Sequence, residues 1–231
     1  MQQLPRASPF TRAEPRGTCS PHSLCAKIPY MSRVALSDII SAFSVQPHEG
    51  VRIVGIDGPS GSGKSTLARR LVDRTGATLV EIDDFVSWTD VAGWWPRFDI
   101  QVLQPLLRGE DAHYQVRDWQ NDPYGSSLGD WKTAQGASLV ILEGVTSTRR
   151  AVADLLAYRI WVDAPEATRL ARGIARDGEQ ARPLWLAWMQ QERDFFTTDR
   201  TRERADLRVN GLTSMGADLD EDVVTTLDEP L

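Results

Sequence analysis

The chain has 231 residues, 41% of them apolar and 25% charged, with a formal net charge of −6. This is the composition of one globular domain large enough to bury a core, and it excludes fibrous and low-complexity classes. No apolar run approaches the ~20 residues that cross a bilayer, and the acidic balance lacks the concentrated basic face of a nucleic-acid surface. A cytoplasmic protein with neither membrane nor nucleic-acid partner is the expectation.

Residues 1–33 are interrupted by prolines and hold both cysteines, Cys19 and Cys25, with no helical or strand period. A disordered leader is expected there, without a disulfide framework or zinc site. Residues 34–45 have room for a short amphipathic helix. Residues 51–56 form an apolar run of buried-strand type. Over 64–74, Leu67, Ala68, Leu71 and Val72 share one helical stripe. The pattern then predicts a strand over 78–82, a helix over 100–108 stopped by Gly109, and a strand over 138–142. A helix over 149–157 and a strand over 159–162 follow. Helices over 166–176 and 184–196 flank a polar break, and 205–209 reads as a last short strand. Strands separated by single helices imply an α/β fold with a parallel sheet covered on both faces. Residues 86–98 and 109–137 do not fit the alternation, and long irregular segments of this kind tend to be substrate-binding insertions. The domain is expected over 34–210. An acidic tail at 211–231 holds Asp218, Asp220, Glu221, Asp222, Asp228 and Glu229 and no basic residue.

Between the first long strand and helix stands Gly58-Pro59-Ser60-Gly61-Ser62-Gly63-Lys64-Ser65, which satisfies G-x-x-x-x-G-K-[ST] at every fixed position. Glycines let the backbone wrap closely enough to aim several N–H donors at phosphate oxygens. The helix beginning near Gly63 adds the positive end of its dipole. Lys64 supplies a compact charge to the β- and γ-phosphates, and the Ser65 hydroxyl a ligand to Mg²⁺. Lys64 is one of only three lysines, against 23 arginines. The strand before and the helix after separate this P-loop from a Gly/Ser-rich turn that happens to hold a lysine. ATP with Mg²⁺ is the expected ligand, bound by Gly58, Ser60, Gly61, Ser62, Gly63, Lys64, Ser65 and Thr66.

In open parallel sheets, ligands lie beyond the carboxyl ends of the strands. Two strands end there in acids: Asp83-Asp84-Phe85 follows 78–82, and Glu143-Gly144 follows 138–142. Phosphoryl transfer needs positioning, Mg²⁺ to neutralise charge, and a carboxylate to orient the attacking hydroxyl or accept its proton. Asp83 suits the base, and Glu143 suits the metal beside Ser65. Turn or N-cap chemistry is the alternative for Asp83 and Asp84. Arg169, Arg172 and Arg176 share one helical face, and Asp177-Gly178-Glu179 breaks the helix after them. A closing lid at about 172–186 would need such a row to stabilise charge on the transferring group. The alternative is a solvated face with surface ion pairs.

In this order the pieces resemble the uridine kinase-like branch of P-loop kinases, which includes phosphoribulokinase and bacterial pantothenate kinase. The resemblance covers about residues 51–210. It rests on GPSGSGKST (58–66), Asp83-Asp84-Phe85, Arg97-Phe98-Asp99, residues 114–119, LEG at 142–144, ARGIARD (171–177) and Ala205-Asp206-Leu207. It implies the three-layer P-loop NTPase fold, a five-stranded parallel sheet with helices on both faces and a small helical lid. By the same resemblance Asp83 is the catalytic base, Phe85 the aromatic that follows it, and Asp99 the acid that holds ribose hydroxyls. Arg169, Arg172 and Arg176 correspond to the basic lid helix. The chain departs from the family in the segment that reads the pyrimidine. There Arg117 stands where a Tyr is usual, no His follows, and Val86 replaces the Tyr after Phe85. Arg117 would suit an anionic acceptor such as a nucleotide monophosphate. Trp88, Trp94, Trp95 and Trp119 are open to stacking a base or to packing, whereas Trp161, Trp185 and Trp188 read as packing. The expected activity is ATP-dependent phosphoryl transfer to a hydroxyl of a nucleoside or nucleotide. The alternatives are a kinase of another small alcohol, of pantothenate or sugar-phosphate type, and a non-catalytic ATP-binding regulatory protein.

Overall fold

The computed structural model describes residues 32–43, 50–122, 124–212 and 223–227. In chain order the elements are β1 (Arg33–Ala35), α1 (Leu36–Ala42), β2 (Arg52–Asp57), α2 (Lys64–Thr75), β3 (Thr78–Glu81), α3 (Trp95–Phe98) and α4 (Gln104–Leu107). Then come β4 (Ala112–Arg117), β5 (Leu128–Ala134), β6 (Leu139–Glu143), β7 (Leu156–Asp163), α5 (Glu166–Asp177), α6 (Arg182–Asp199), β8 (Leu207–Asn210) and β9 (Val223–Thr225). Five strands lie side by side in the order β3-β6-β2-β7-β8, all parallel. This is the P-loop NTPase sheet.

Side chains alternate across a strand, and the alternation divides the core. Ile53, Val140 and Leu142 join Val80, Ile82, Phe98 and Leu106 in one cluster. Val54, Ile56, Ile141, Ile160 and Val162 join Leu67 and Leu71 of α2 and Leu36 and Ile39 of α1 in the other. Burial on both faces makes the central strands continuous apolar runs, and each such Leu or Ile stabilises the fold by about 1.5–3 kcal/mol.

The structure departs from the sequence pattern in four places. The helix expected from residue 100 is a π turn (Asp99–Leu103) running from α3 into α4. Pro105 has no N–H to give back to the preceding turn, and a widened turn accommodates that loss. The helix expected over 149–157 is a 3₁₀ segment (Arg150–Leu155), because β7 begins at Leu156, paired opposite Ile53. Residues 109–137 contain an antiparallel hairpin, with Ala112 opposite Ala134. Asp118 and Asp122 hold its connection by accepting N–H bonds from Asn121, Gly125 and Ser127. Finally, the segment read as an acidic tail returns to the domain. β9 pairs with β1, and Leu227 N–H donates to Arg208 O at 2.9 Å. The leader falls outside the described residues up to position 31, as do the tail acids just named. Among the described residues no helix is long and apolar enough to cross a membrane.

The hairpin is fastened to the end of β3. Lys132 Nζ lies 3.3 Å from Glu81 and 2.8 Å from Asp84, and Tyr114 donates its hydroxyl to Asp84 at 3.0 Å. An insertion between α4 and β6 thereby reaches the carboxyl edge of the sheet.

Candidate active site

β2 delivers the chain to Asp57, and the loop after it turns into the twelve-residue α2. Gly58 has φ +136, and a Cβ there would stand 2.1 Å from Val162 O; at Gly61, with φ +76, it would stand 2.8 Å from Arg169 O. No L side chain fits either place, so glycine sets the shape of the loop. Lys64 is 6% exposed and its Nζ donates back across the loop to Pro59 O at 3.2 Å. Ser62 Oγ is buried there without a hydrogen-bond partner. A cavity of about 370 Å³ opens over Gly61, Gly63, Lys64, Ser65, Thr66, Arg69, Arg172 and Arg176. A helix N-terminus, an ammonium group and main-chain donors converge on it, and these suit the phosphates of a nucleotide. Ser60 differs from its neighbours. It lines the adjoining cavity, and its N–H donates to the Glu192 carboxylate at 2.8 Å.

Glu143, at the end of β6, is buried and takes a hydrogen bond from the Ser65 hydroxyl. Burial pushes its carboxyl up to about 7; Lys64 and the Ser65 bond oppose this, and the charge of Asp83 adds to it. Among the described residues no cluster of three or more His, Cys, Asp or Glu is gathered. A hydroxyl and one carboxylate, with the remaining positions left to water and phosphate oxygens, is a donor set that suits Mg²⁺.

One 3₁₀ turn (Ile82–Asp84) past β3 carries Asp83 into a second cavity, of about 530 Å³. Trp88, Trp119, Trp185 and Trp188 wall it, and Asp83, Asp84, Arg176, Asp177 and Ser60 supply its polar groups. Asp83 opens onto this cavity, yet the protein crowding its other sides raises its pKa. Lys64 and Arg176 oppose the rise, and Glu81 and Asp84 add to it. Trp119 Nε1 donates to Asp83 O at 2.9 Å. Trp88 meets Trp119, Trp185 and Trp188 edge to face, with centroids 5.9–6.2 Å apart. Arg176 lines both cavities and so stands at their junction, paired with Asp177 at 2.7 Å.

Other residues expected at the acceptor lie elsewhere. Phe85 is 6% exposed and packs against Phe98 and Tyr114 in the core. Asp99 opens the π turn, accepts Gln104 Nε2 at 3.2 Å, and lines neither cavity. Arg117 is buried, donates to the carbonyls of Ser127 and Asp122, and lines a separate cavity with Arg97 and Tyr124. An anionic acceptor beside Asp83 therefore has no Arg117 to meet. Arg169 is turned inward onto Ala164 O and Glu192, because α6 covers that part of α5. Arg172 braces the cradle by donating to Gly61 O at 2.9 Å and Gly211 O at 3.1 Å. Trp185 and Trp188 are buried, as packing predicts, but they also wall the aromatic cavity. Trp94 and Trp95 pack with Phe98 under the Arg149 guanidinium.

Two residues of consequence escape the sequence pattern. Asp57 is fully buried and accepts from Gly58 N, Thr146 N, Thr148 N and Thr148 Oγ1 at 2.7–3.0 Å. An acid closing an otherwise apolar strand just before the P-loop is its only signal. Glu192 is 1% exposed on α6, and an acid one turn after Trp188 on a buried stripe is the trace it leaves.

A family model described as an AAA domain matches residues 54–194. A uridine-cytidine kinase-like 1 protein of Mus musculus is 27% identical over 144 residues, covering 54% of this chain and 26% of that protein. A uridine kinase of Leuconostoc citreum is 26% identical over 145 residues, 54% of this chain and 68% of that protein. The chain thus spans about a quarter of the mouse protein's length. A structure described as a possible uridine kinase from Bacillus stearothermophilus superposes with a TM-score of 0.54 at 20% identity. It covers 75% of this chain and 94% of that one, and it shares the fold.

Proposed function

Because the chain belongs to the AAA domain family, and among P-loop kinases to the uridine kinase-like branch, we propose that it is an ATP-dependent small-molecule kinase whose acceptor is a hydroxyl of an uncharged nucleoside. One observation carries the proposal: Arg176 lines both the phosphate cradle and a tryptophan-walled cavity, and Asp83 faces the latter within electrostatic reach of Lys64 and Arg176. The walls favour a planar, apolar ring. Asp83, Asp84 and Asp177 face the cavity with Arg176, and even with Lys132 paired to Asp84 the acids outnumber the cations, which disfavours a nucleotide monophosphate, pantothenate or a sugar phosphate.

In the proposed reaction the acceptor oxygen attacks the γ-phosphorus in line. The new O–P bond forms as the bond to the β–γ bridging oxygen breaks, ADP departs, and the hydroxyl proton passes to Asp83. A carboxyl raised above its ordinary pKa is the better proton acceptor. Lys64 meets the charge on the β- and γ-oxygens, Arg176 that on the transferring group, and Arg172 keeps the loop in shape. Ser65, with Glu143 beside it, would hold Mg²⁺, which when bound would supply neutralisation of the phosphate charge. The aromatic walls hold the acceptor's ring, so that its hydroxyl is presented to the γ-phosphate.

The test is Asp83→Asn, assayed by ADP release with uridine, cytidine, uridine monophosphate and pantothenate as acceptors. Acceptor-dependent turnover should fall by ~10²–10⁴-fold while Mg-ATP still binds. Undiminished turnover would remove Asp83 from the role of base, and preference for the monophosphate would overturn the uncharged acceptor. ATP binding without any acceptor-dependent ADP release would favour a regulatory protein.

A further inference from the structure

Each polar group of Ser60, near the tip of the phosphate loop, is engaged by the α5–α6 pair. Its N–H donates to Glu192 Oε1 at 2.8 Å, its carbonyl accepts Arg169 Nη1 at 3.4 Å, and its hydroxyl accepts Trp188 Nε1 at 2.8 Å. Trp188 Nε1 also lies 2.6 Å from Glu192 Oε1, so one carboxylate oxygen receives both the loop amide and the indole. The other oxygen faces Arg169 Nη1 at 3.4 Å, with both side chains less than a tenth exposed. A buried carboxylate persists only where its charge and lone pairs are met. Part of what meets this one is a main-chain amide of a loop whose amides are otherwise the donors to a nucleotide's phosphates. Ser60 and Trp188 both line the aromatic cavity. A single side chain therefore joins the phosphate loop to the wall of the acceptor cavity.

We propose that Glu192 is a positioning residue that relays occupancy of the phosphate loop to the acceptor cavity; this rests on the loop being the ATP site. A triphosphate entering the cradle at Gly61, one residue on, repels the carboxylate and draws the loop that carries the Ser60 amide away from it. Once that amide is drawn off, Glu192 Oε1 has Trp188 Nε1–H as its remaining close donor. Arg169 keeps the carboxylate neutralised, so no unpaired charge is left in the interior. The indole then follows the carboxylate, and the cavity wall is set for the acceptor only when nucleotide is bound. Nucleotide binds first and the acceptor second.

The experiment titrates the 231-residue chain with the Mg²⁺ complex of a non-hydrolysable ATP analogue, following binding by calorimetry and the cavity wall by tryptophan emission. The wild type should bind with a shift in emission, and Trp188→Phe, which keeps an aromatic ring but removes the indole N–H, its five-membered ring and its fluorescence, should bind with most of the shift gone. Glu192→Gln keeps the shape but not the charge. It should bind the analogue at least as tightly, with a diminished shift and an acceptor KM raised ~10-fold, while kcat changes by less than about threefold. A purely structural role would instead lower the thermal midpoint and depress both constants together. An unchanged emission on wild-type binding, or a full shift and wild-type KM in Glu192→Gln, would overturn the relay while leaving the ATP site standing. No heat of binding in the wild type would remove the ATP site and the relay with it. Should Glu192→Gln not fold, a wild-type acceptor KM in Trp188→Phe is the result that overturns the proposal.

Discussion

The two cavities that meet at Arg176 are built on opposite plans. The phosphate cradle is built mainly by one contiguous stretch, residues 61–69, whose working groups are main-chain amides, the start of α2 and the Lys64 ammonium, with Arg172 and Arg176 of α5 facing it. The acceptor cavity is assembled from side chains on the turn after β3, the loop beyond it, the end of β4 and the α5–α6 pair. The first is rigid because glycines are forced into it, the second because tryptophans brace one another edge to face. A site made by backbone tolerates little change in any residue. One made by several side chains loses function in proportion to the wall removed.

The sharpest break of that contrast is Lys64→Met. The Lys64 ammonium donates to Pro59 O and offsets the charges of Asp57, Asp83 and Glu143, so its loss should lower stability while the chain still folds. Phosphoryl transfer should drop by ~10³-fold, as on removing a group that meets transition-state charge. ADP-release rates beside a circular dichroism spectrum decide this. A variant that folds and turns over at the wild-type rate would move the phosphate site elsewhere.

The same contrast governs what could be read from the residues alone. The cradle is legible because its chemistry follows chain order, and the central strands because burial on both faces leaves continuous apolar runs such as 51–56. The hairpin is not legible because β5 exposes Leu128 and Trp131, at 40% and 68%, and so carries no alternation of apolar and polar positions. β9 is three residues long, too short for any period. For the arginine row, spacing placed Arg169, Arg172 and Arg176 on one face, but spacing says nothing of what covers that face. α6 lies over Arg169 and leaves only Arg176 at the junction. Phe85 and Arg117 went to the core and to a different cavity because the turn at 82–84 and the end of β4 set their direction, and neither feature has a sequence signature.

A smaller break lies at the root of the cradle. Asp57 ties β2 to the loop after Glu143 through its bonds to Thr146 and Thr148. Asp57→Asn puts an NH₂ against one of those donors and should cost ~1–3 kcal/mol of stability. The pH dependence has a definite sign. Burial raises the Asp57 carboxyl from 3.8 to about 6, against its hydrogen-bond donors and Lys64. The folded state therefore binds this proton more tightly than the unfolded chain does. The stability so gained is complete below pH 3.8, is lost as the pH rises through about 6, and stays lost above it. At about 1.4 kcal/mol per pH unit this amounts to ~3 kcal/mol. Urea denaturation of both proteins from pH 3.5 to 8 should show a decline in the wild type larger by that amount than the one Glu143 and Asp83 leave in Asp57→Asn. Parallel curves across the window would mean that Asp57 does not titrate there.

The mildest change should fall on the acceptor side alone. Trp119 closes the cavity from the hairpin, edge-on to Trp88, with its indole N–H on Asp83 O. Trp119→Leu removes one aromatic wall worth ~0.5–1.5 kcal/mol, so the acceptor KM should rise by roughly 2–10-fold with a smaller change in kcat. Nucleotide affinity should stay as it was, because none of the hydrogen bonds made by Trp119 reaches the loop at 58–65. Trp188 differs in that respect, since its indole is bonded to Ser60 and Glu192. Of the two tryptophans, then, only Trp188 should alter how nucleotide occupancy is felt in the cavity. If Trp119→Leu weakens ATP and acceptor binding equally, the two cavities form a single site, and the coupling assigned to Glu192 has no separate partners to connect.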